Sequence, residues 1–116
     1  MKTDYEFLKT EIDGHILTVT INRPDRMNAL HPPAHAEFDE VWNEFDKDEN
    51  LWVGIVTGEG DRAFSAGNDL KFQAEAGGKM DINMASSGFA GLTSRFNLTK
   101  PLIAAVNGVS MGGGFE

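Results

Sequence analysis

Two segments of the sequence combine small residues with polar groups, as a site built on main-chain donors requires. In the first, residues 63–70, Ala66 and Gly67 have almost no side chain to keep a ligand away from the backbone. In the second, residues 107–116, three consecutive glycines follow a strand-like run and lead toward a helix start. Unpaired N–H groups at a helix N-terminus carry partial positive charge, so this segment suits a developing anion. Glu116, beside the glycines, is a candidate general acid or base.

Other interpretations of the same residues stay open. A glycine-rich segment taken alone is most often only a turn, and neither segment contains the phosphate-binding patterns GxxxxGK[ST] or GxGxxG. Ser65 has no GxSxG motif around it and no histidine in a recognisable relation to it, so a nucleophilic role is not predicted. Asp69 is interpreted as a structural or helix-capping carboxylate rather than as an acid–base group.

The composition limits the class of protein. The chain has 116 residues, of which 41% are hydrophobic and 24% charged, which is typical of one soluble globular domain. A net charge of −8 argues against nucleic acid and anionic membranes as partners. Because there is no cysteine, thiolate chemistry is excluded, and histidines at positions 15, 31 and 35 make a poor zinc site. The charged start and the lack of a long apolar stretch predict a cytoplasmic location.

The first half of the chain predicts a hairpin followed by a helix. Residues 5–21 form two extended runs around Asp13-Gly14, a dipeptide that is favoured in hairpin turns. Residues 32–47 carry an apolar stripe at helical spacing that begins with two prolines, and their many acidic side chains are interpreted as the exposed face.

The second half of the chain predicts two buried strands with connecting helices. Residues 51–56 and 102–106 are short β-rich runs, each followed by a turn signal. Between them we expect a helix over 70–76, a loop over 77–88 and another helix over about 89–98. Strands alternating with helices at this spacing are typical of an α/β fold.

Five blocks of the sequence, taken in order, resemble the signatures of the crotonase superfamily, that is, the enoyl-CoA hydratase/isomerase family. The blocks are residues 18–24 with 26–30, 56–58, 63–70, 100–108 and 112–116. Each motif is weak to moderate by itself, whereas their common order and spacing are specific. The resemblance implies a crotonase-type spiral of ββα units, of which this chain would be the N-terminal part.

The resemblance also implies roles for individual residues. In that family the substrate is an acyl-CoA thioester, and two main-chain N–H groups form an oxyanion hole for its carbonyl as an enolate develops. Carried over to this sequence, the two donors are the N–H groups of Asn68 and Gly113. Glu116 aligns with the first of the two catalytic glutamates of hydratases. The residues that would contact substrate or coenzyme A are Arg26, Asn28, Ala29, Leu30, Ala66, Asn68, Asp69, Leu70, Lys71 and Gly113.

The resemblance therefore implies an enoyl-CoA hydratase that needs no metal or redox cofactor, with coenzyme A as part of the substrate. Members of the family run to roughly 250 residues in a single domain, so residues 1–116 are expected to be a fragment that is inactive alone. The intact enzyme is expected to be a homotrimer or hexamer. An enoyl-CoA isomerase, another family activity, and a non-catalytic module that binds CoA thioesters remain the alternatives.

Overall fold

The computed structural model describes residues 3–77 and 86–116 of the chain. The strands are β1 (Leu8–Asp13), β2 (Ile16–Ile21), β3 (Val53–Gly58), β4 (Ala63–Ser65), β5 (Leu102–Ala104) and β6 (Val109–Ser110). The helices are α1 (Pro32–Lys47) and α2 (Leu70–Glu75), and short 3-10 turns lie at Pro24–Arg26, Phe89–Gly91 and Gly112–Gly114. The predicted α/β character is confirmed.

The main sheet has four strands in the order β1-β2-β3-β5. The hairpin of β1 and β2 is antiparallel, as predicted, and it turns at Gly14, whose φ of 60° lies in the left-handed region that glycine adopts without steric cost. The strand pairs β2–β3 and β3–β5 are parallel. Parallel neighbours need a crossover connection, and α1 supplies it between β2 and β3.

The core lies between this sheet and α1. On β2, Leu17, Val19 and Ile21 are buried, as their alternation predicts. They belong to the same apolar cluster as Phe38 and Trp42 of α1, both of which are fully buried. Each such side chain contributes about 1.5–3 kcal/mol of transfer free energy, so the contact of α1 with the sheet is a major source of stabilisation.

The start of α1 follows from the local sequence, and a distant lysine binds its end. Pro32 and Pro33 occupy its first turn, where a missing N–H costs no hydrogen bond. The helix ends at Lys47, as predicted, and the Nζ of Lys100 donates to the main-chain oxygens of Phe45 and Asp48, at 2.6 Å each. A cation that binds the last carbonyls of a helix satisfies acceptors that have no partner within the helix.

The helix expected over residues 89–98 does not form, and this prediction is wrong. Only a 3-10 turn is present at Phe89–Gly91, and within it Ala90 has a left-handed φ of 54°. Side chains of α1 bind the main chain of Ala90, since the indole N–H of Trp42 donates to its oxygen at 2.9 Å and its N–H donates to the Nδ1 of His35 at 2.9 Å. These contacts hold the segment in a non-helical conformation.

Other boundaries differ only slightly from the predictions. The strand expected over residues 51–56 is β3, Val53–Gly58, and the one expected over 102–106 is β5, Leu102–Ala104. The helix expected over 70–76 is α2, Leu70–Glu75. Of the loop expected over 77–88, residues 78–85 lie outside the described part of the chain.

Candidate active site

The two segments that the sequence singled out meet in a small second sheet. Strands β4 and β6 pair in parallel, and the N–H of Met111 donates to the oxygen of Ser65 at 3.1 Å. The contact is close, because a Cβ on Gly114 would lie 2.2 Å from the oxygen of Ser65. A side chain at position 114 would therefore push the two segments apart. The strands contain three and two residues, too few for sequence periodicity to predict them.

The direction of the Asn68 N–H is fixed by its own peptide unit. Leu30 forms a parallel bridge with Asn68, in which the N–H of Leu30 donates to the oxygen of Gly67 at 2.8 Å and the N–H of Asp69 donates to the oxygen of Leu30 at 2.9 Å. The oxygen of Gly67 and the N–H of Asn68 belong to one planar trans peptide and point in opposite directions. The Asn68 N–H therefore points away from Leu30.

The Gly113 N–H also lies close to Gly67. A Cβ on Gly67 would sit 2.8 Å from the oxygen of Met111 and 3.3 Å from the nitrogen of Gly113. The glycine at position 67, with a φ of 96°, is thus required by both the backbone conformation and the close approach. Within the described part of the chain, neither the Asn68 N–H nor the Gly113 N–H donates a hydrogen bond. Two unused donors consequently lie beside the same glycine.

A cleft of about 200 Å³ contains Gly113 and Glu116. Its lining is largely apolar and comes from both sheets and from the segment after residue 86: Ile21, Leu30, Val56, Phe64, Ser65, Phe89, Ala90, Leu92, Thr93, Ala104, Gly113, Gly114, Phe115 and Glu116. The ring of Phe89 packs against Gly113, where a Cβ would lie 2.7 Å from it. An apolar wall with one carboxylate and main-chain donors is the kind of site that binds an acyl group and polarises its carbonyl.

Asp69 is a structural and capping residue, as predicted. It is the N-cap of α2, where its Oδ1 accepts the N–H of Phe72 at 2.9 Å. Its side chain is 3% exposed and pairs with the Arg23 guanidinium at 2.8 Å and with that of Arg26 at 3.4 Å. Burial acts to raise the pKa of the Asp69 carboxyl, but the Phe72 N–H and the two arginines outweigh it, so the pKa is lowered.

The residues expected to contact coenzyme A have different degrees of exposure. Leu70 is 73% exposed, Lys71 is exposed and Arg26 is partly exposed, so their side chains are accessible. Asn28 is 1% exposed, and its side chain accepts the N–H of Arg23 and donates to the oxygens of Glu59 and Ala63. Ala29 and Leu30 are also buried, and Ala66 is partly buried. The roles of these residues in binding stay predictions.

Two alternative kinds of site receive no support from the geometry. The Oγ of Ser65 accepts the N–H of Gly67 at 3.2 Å in a residue that is 1% exposed, so it is held in a structural contact. Among the described residues, no group of three or more His, Asp or Glu side chains could hold a metal ion. None of the helices among the described residues is long and apolar enough to cross a membrane.

A larger cleft, of about 350 Å³, is separate from this site. It is lined by Pro24, Asp25, Met27, Asn28, Glu59, Gly60, Asp61, Arg62 and Ala63. It contains three carboxylates and one guanidinium but neither Gly113 nor Glu116, both of which line the smaller cleft.

Sequence reasoning missed the part played by Arg23. Its side chain is 9% exposed and contacts Asp69, the oxygen of Ala29 and the ring of Phe7. The local sequence around Arg23 offers no signal for this, because its ion-pair partner lies far along the chain. Only the fold brings the two together.

Comparison with known proteins relates the chain to a family of acyl-CoA enzymes. The sequence model described as enoyl-CoA hydratase/isomerase matches residues 11–116. A carnitinyl-CoA dehydratase of Escherichia coli (strain K12) is 49% identical over 111 residues, which are 96% of this chain and 42% of that protein. One from Citrobacter koseri is 50% identical over 103 residues, which are 89% of this chain and 39% of that protein.

Solved structures agree with the sequence relatives. The carnitinyl-CoA hydratase from Mycobacterium avium superposes with a TM-score of 0.82 at 36% identity, over 93% of this chain and 41% of that one. The enoyl-CoA hydratase from Mycobacterium tuberculosis H37Rv gives a TM-score of 0.80 at 37% identity, over 94% and 41%. This chain spans about two fifths of the length of these proteins. The expected crotonase-type architecture is confirmed, and the chain belongs to the enoyl-CoA hydratase/isomerase family.

Proposed function

We propose that this chain forms the thioester-binding, oxyanion-hole part of an enzyme that adds water to a 2-enoyl-CoA or removes it from a 3-hydroxyacyl-CoA. The observation that carries the proposal is the pair of unused main-chain donors, Asn68 N–H and Gly113 N–H, which lie beside Gly67. Preorganised donors aimed at a developing enolate oxygen contribute about 3–4 kcal/mol each to lowering a barrier. The names of the relatives and the family match support the same reaction class.

In this proposal the residues have separate roles. The thioester carbonyl accepts hydrogen bonds from Asn68 and Gly113, and the acyl group lies along the apolar wall of the smaller cleft. Glu116, which lines the same cleft, positions and deprotonates the water that attacks C3, and a second acid supplies the proton to C2. Attack of the water oxygen on C3 turns the C2=C3 double bond into the enolate, which takes up the proton at C2. Transfer of the proton from Glu116 to the second acid then restores both groups, so the sum is hydration of one double bond. The reaction uses no metal or redox cofactor, and coenzyme A enters as part of the substrate.

The extent and assembly of the enzyme belong to the same proposal. Residues 1–116 form the N-terminal part of a single crotonase-fold domain, which in its intact form is a homotrimer or hexamer. The alternative is an enoyl-CoA isomerase, which would use the same enolate, and the residue in the place of the second acid would distinguish the two reactions. The hydratase assignment is preferred, because the 49–50% identical relatives are named as dehydratases.

The test is a chimera in which this chain replaces the matching part of the E. coli carnitinyl-CoA dehydratase. Hydration of crotonyl-CoA and dehydration of carnitinyl-CoA are measured separately, together with isomerisation of a 3-enoyl-CoA. We expect water addition or removal with one of the first two thioesters, and a fall in kcat of about 10² to 10⁴ in Glu116→Gln. Isomerisation without hydration would contradict the proposal. Unchanged kcat in Glu116→Gln would rule out Glu116 as the residue that activates water.

A further inference from the structure

A buried ion-pair cluster lies directly beside the candidate donor on residue 68. The Arg23 guanidinium contacts the Asp69 carboxylate at 2.8 Å, with 9% and 3% of the two side chains exposed. The Arg26 guanidinium, 27% exposed, is 3.4 Å from the same carboxylate. Buried charges are costly unless they are paired and hydrogen-bonded. This cluster lies one residue from the candidate oxyanion-hole donor, so it is placed where it can affect that donor.

The Leu30–Asn68 bridge orients the Asn68 peptide, and Arg23 contacts both of the segments that this bridge joins. One partner is the segment of residues 28–30. The guanidinium of Arg23 donates to the oxygen of Ala29, its main-chain N–H donates to the Oδ1 of Asn28 at 3.0 Å, and its oxygen accepts the Asn28 N–H at 2.8 Å. The other partner is Asp69, which the same guanidinium contacts. Displacement of either segment would alter the contact between them.

Asp69 is fixed at both its main chain and its side chain. Its N–H donates to the oxygen of Leu30 at 2.9 Å, while its carboxylate caps α2 through the Phe72 N–H. On the other side of Asn68, the oxygen of Gly67 accepts the Leu30 N–H. The residues flanking Asn68 are thus both bound to Leu30, and the direction of the Asn68 N–H depends on this register.

We infer that Arg23 and Asp69 are positioning residues whose ion pair keeps residues 28–30 in register with residues 67–69 and so fixes the direction of the Asn68 N–H. This inference rests on the proposed oxyanion hole. Neither side chain reaches the reacting atoms, so each acts through the main chain of Asn68. The lowered pKa of the Asp69 carboxyl keeps the ion pair charged at neutral pH.

The experiment uses the 116-residue chain and acetoacetyl-CoA, a thioester whose enolate absorbs in the near ultraviolet. Calorimetry gives Kd, and the enolate absorbance is measured at saturation, per bound ligand. The variants are Asp69→Asn, which keeps an N-cap oxygen but removes the charge, and Arg23→Gln with its conservative partner Arg23→Lys. Arg26→Gln weakens the cluster at its more exposed member. Lys9→Gln, which breaks the exposed 3.0 Å ion pair with Glu59, is the control.

The positioning role predicts a split between binding and enolate formation. In Asp69→Asn and Arg23→Gln the enolate per bound ligand should fall about tenfold while Kd changes less than about threefold. Arg23→Lys should recover part of the signal, Arg26→Gln should lose about half of it, and Lys9→Gln should keep it. Unchanged enolate per bound ligand in the folded variants would overturn the inference. If circular dichroism shows Arg23→Gln or Asp69→Asn to be unfolded, Arg26→Gln and Arg23→Lys decide the outcome.

A second measurement separates this inference from the proposed function. Residual dipolar couplings report the direction of the Asn68 N–H in the ligand-free chain, with the amides of α1 as the internal reference. Reorientation of the Asn68 N–H in Asp69→Asn, with α1 unchanged, would support positioning even if the unmodified chain formed no enolate. Failure of the unmodified chain to form enolate would contradict only the proposed function. An Asn68 N–H that keeps its direction would overturn the positioning role.

Discussion

At residue scale, the proposed site uses Asn68 and Gly113 through their main chain, so the two positions should respond in opposite ways to substitution. The Asn68 side chain is exposed and donates to Gln73 at 2.8 Å, so Asn68→Ala keeps the N–H donor and removes only a surface contact. A side chain at position 113 would collide with Phe89, where a Cβ would lie 2.7 Å from the ring. We expect Asn68→Ala to keep most of the enolate absorbance of bound acetoacetyl-CoA, and Gly113→Val to lose it by about tenfold or more.

The comparison of these two variants is informative only if both are folded, which circular dichroism establishes. Asn68→Ala and Gly113→Val are then measured at the same bound fraction of thioester. A severe defect in Asn68→Ala beside a tolerated Gly113→Val would assign the role to the Asn68 side chain instead of its N–H.

The residues of the candidate site could be predicted individually, but the network that holds them could not. Asn68, Gly113 and Glu116 stand out through glycine spacing and through resemblance to family motifs. The contact of Arg23 with Asp69 joins residues far apart in sequence, and nothing in either local pattern specifies the pairing. Likewise, the burial of Asn28 follows from main-chain acceptors on Glu59 and Ala63, which only the fold brings within reach.

At the scale of elements, the contact between α1 and residues 89–91 includes a hydrogen bond from one buried indole. Trp42 is fully buried, and its Nε1–H donates to the oxygen of Ala90 at 2.9 Å. We expect Trp42→Phe to lower the free energy of unfolding by about 2–3 kcal/mol, because it leaves that oxygen without its donor and opens a small cavity. Trp52, which is 58% exposed, is the matched control. Trp52→Phe should change stability by less than about 0.5 kcal/mol in urea unfolding, and equal losses in the two variants would contradict this account.

The same contact makes the packing of α1 sensitive to pH. Burial, and secondarily the charge of nearby His31, lower the pKa of His35 to about 4, and burial also lowers the pKa of His31. In the unfolded chain a histidine takes up its proton near pH 6.5, so between about 6.5 and 4 the unfolded state binds more protons. The free energy of unfolding should therefore fall as pH is lowered through this window, by about 3 kcal/mol for His35 alone.

Urea unfolding between pH 7 and 4 measures this dependence. His35→Gln should be less stable at pH 7, because the Nδ1 that accepts the Ala90 N–H is removed, but its stability should change less with pH. The control is His15→Gln, at an exposed ring stacked on Trp52, which should keep the pH dependence of the unmodified chain. A pH dependence that survives unchanged in His35→Gln would rule out His35 as its source.

Element prediction succeeded where periodicity was long and failed where tertiary contacts decide the backbone. The stripe of α1 extends over four turns, and its bounds were predicted to the residue. Over residues 89–98, apolar residues also occur at helical spacing, yet the side chains of His35 and Trp42 bind the main chain of Ala90 and hold it at a left-handed φ. A local pattern contains no information about such distant partners.

At the scale of the whole molecule, the candidate site is assembled from parts that are separated in sequence and joined by two sheets. Strand β3 of the main sheet contributes Val56, the small sheet contributes Phe64 and Ser65, and the last turn contributes Gly113 and Glu116. The register of β4 with β6 decides how far Gly113 lies from Gly67. The arrangement of the two candidate donors is therefore a product of sheet pairing rather than of either segment alone.

The composition of the cleft determines what the 116-residue chain should be able to do by itself. Glu116 is the one carboxylate among the described residues that line the cleft, and hydration needs both a group that activates water and a group that delivers a proton. The chain alone should therefore bind crotonyl-CoA but not hydrate it, whereas the chimera should do both. The measurement is loss of the enoyl absorbance, with binding followed by calorimetry. Turnover by the chain alone on the order of 10 s⁻¹, a typical enzyme rate, would show that Glu116 and the two N–H donors suffice.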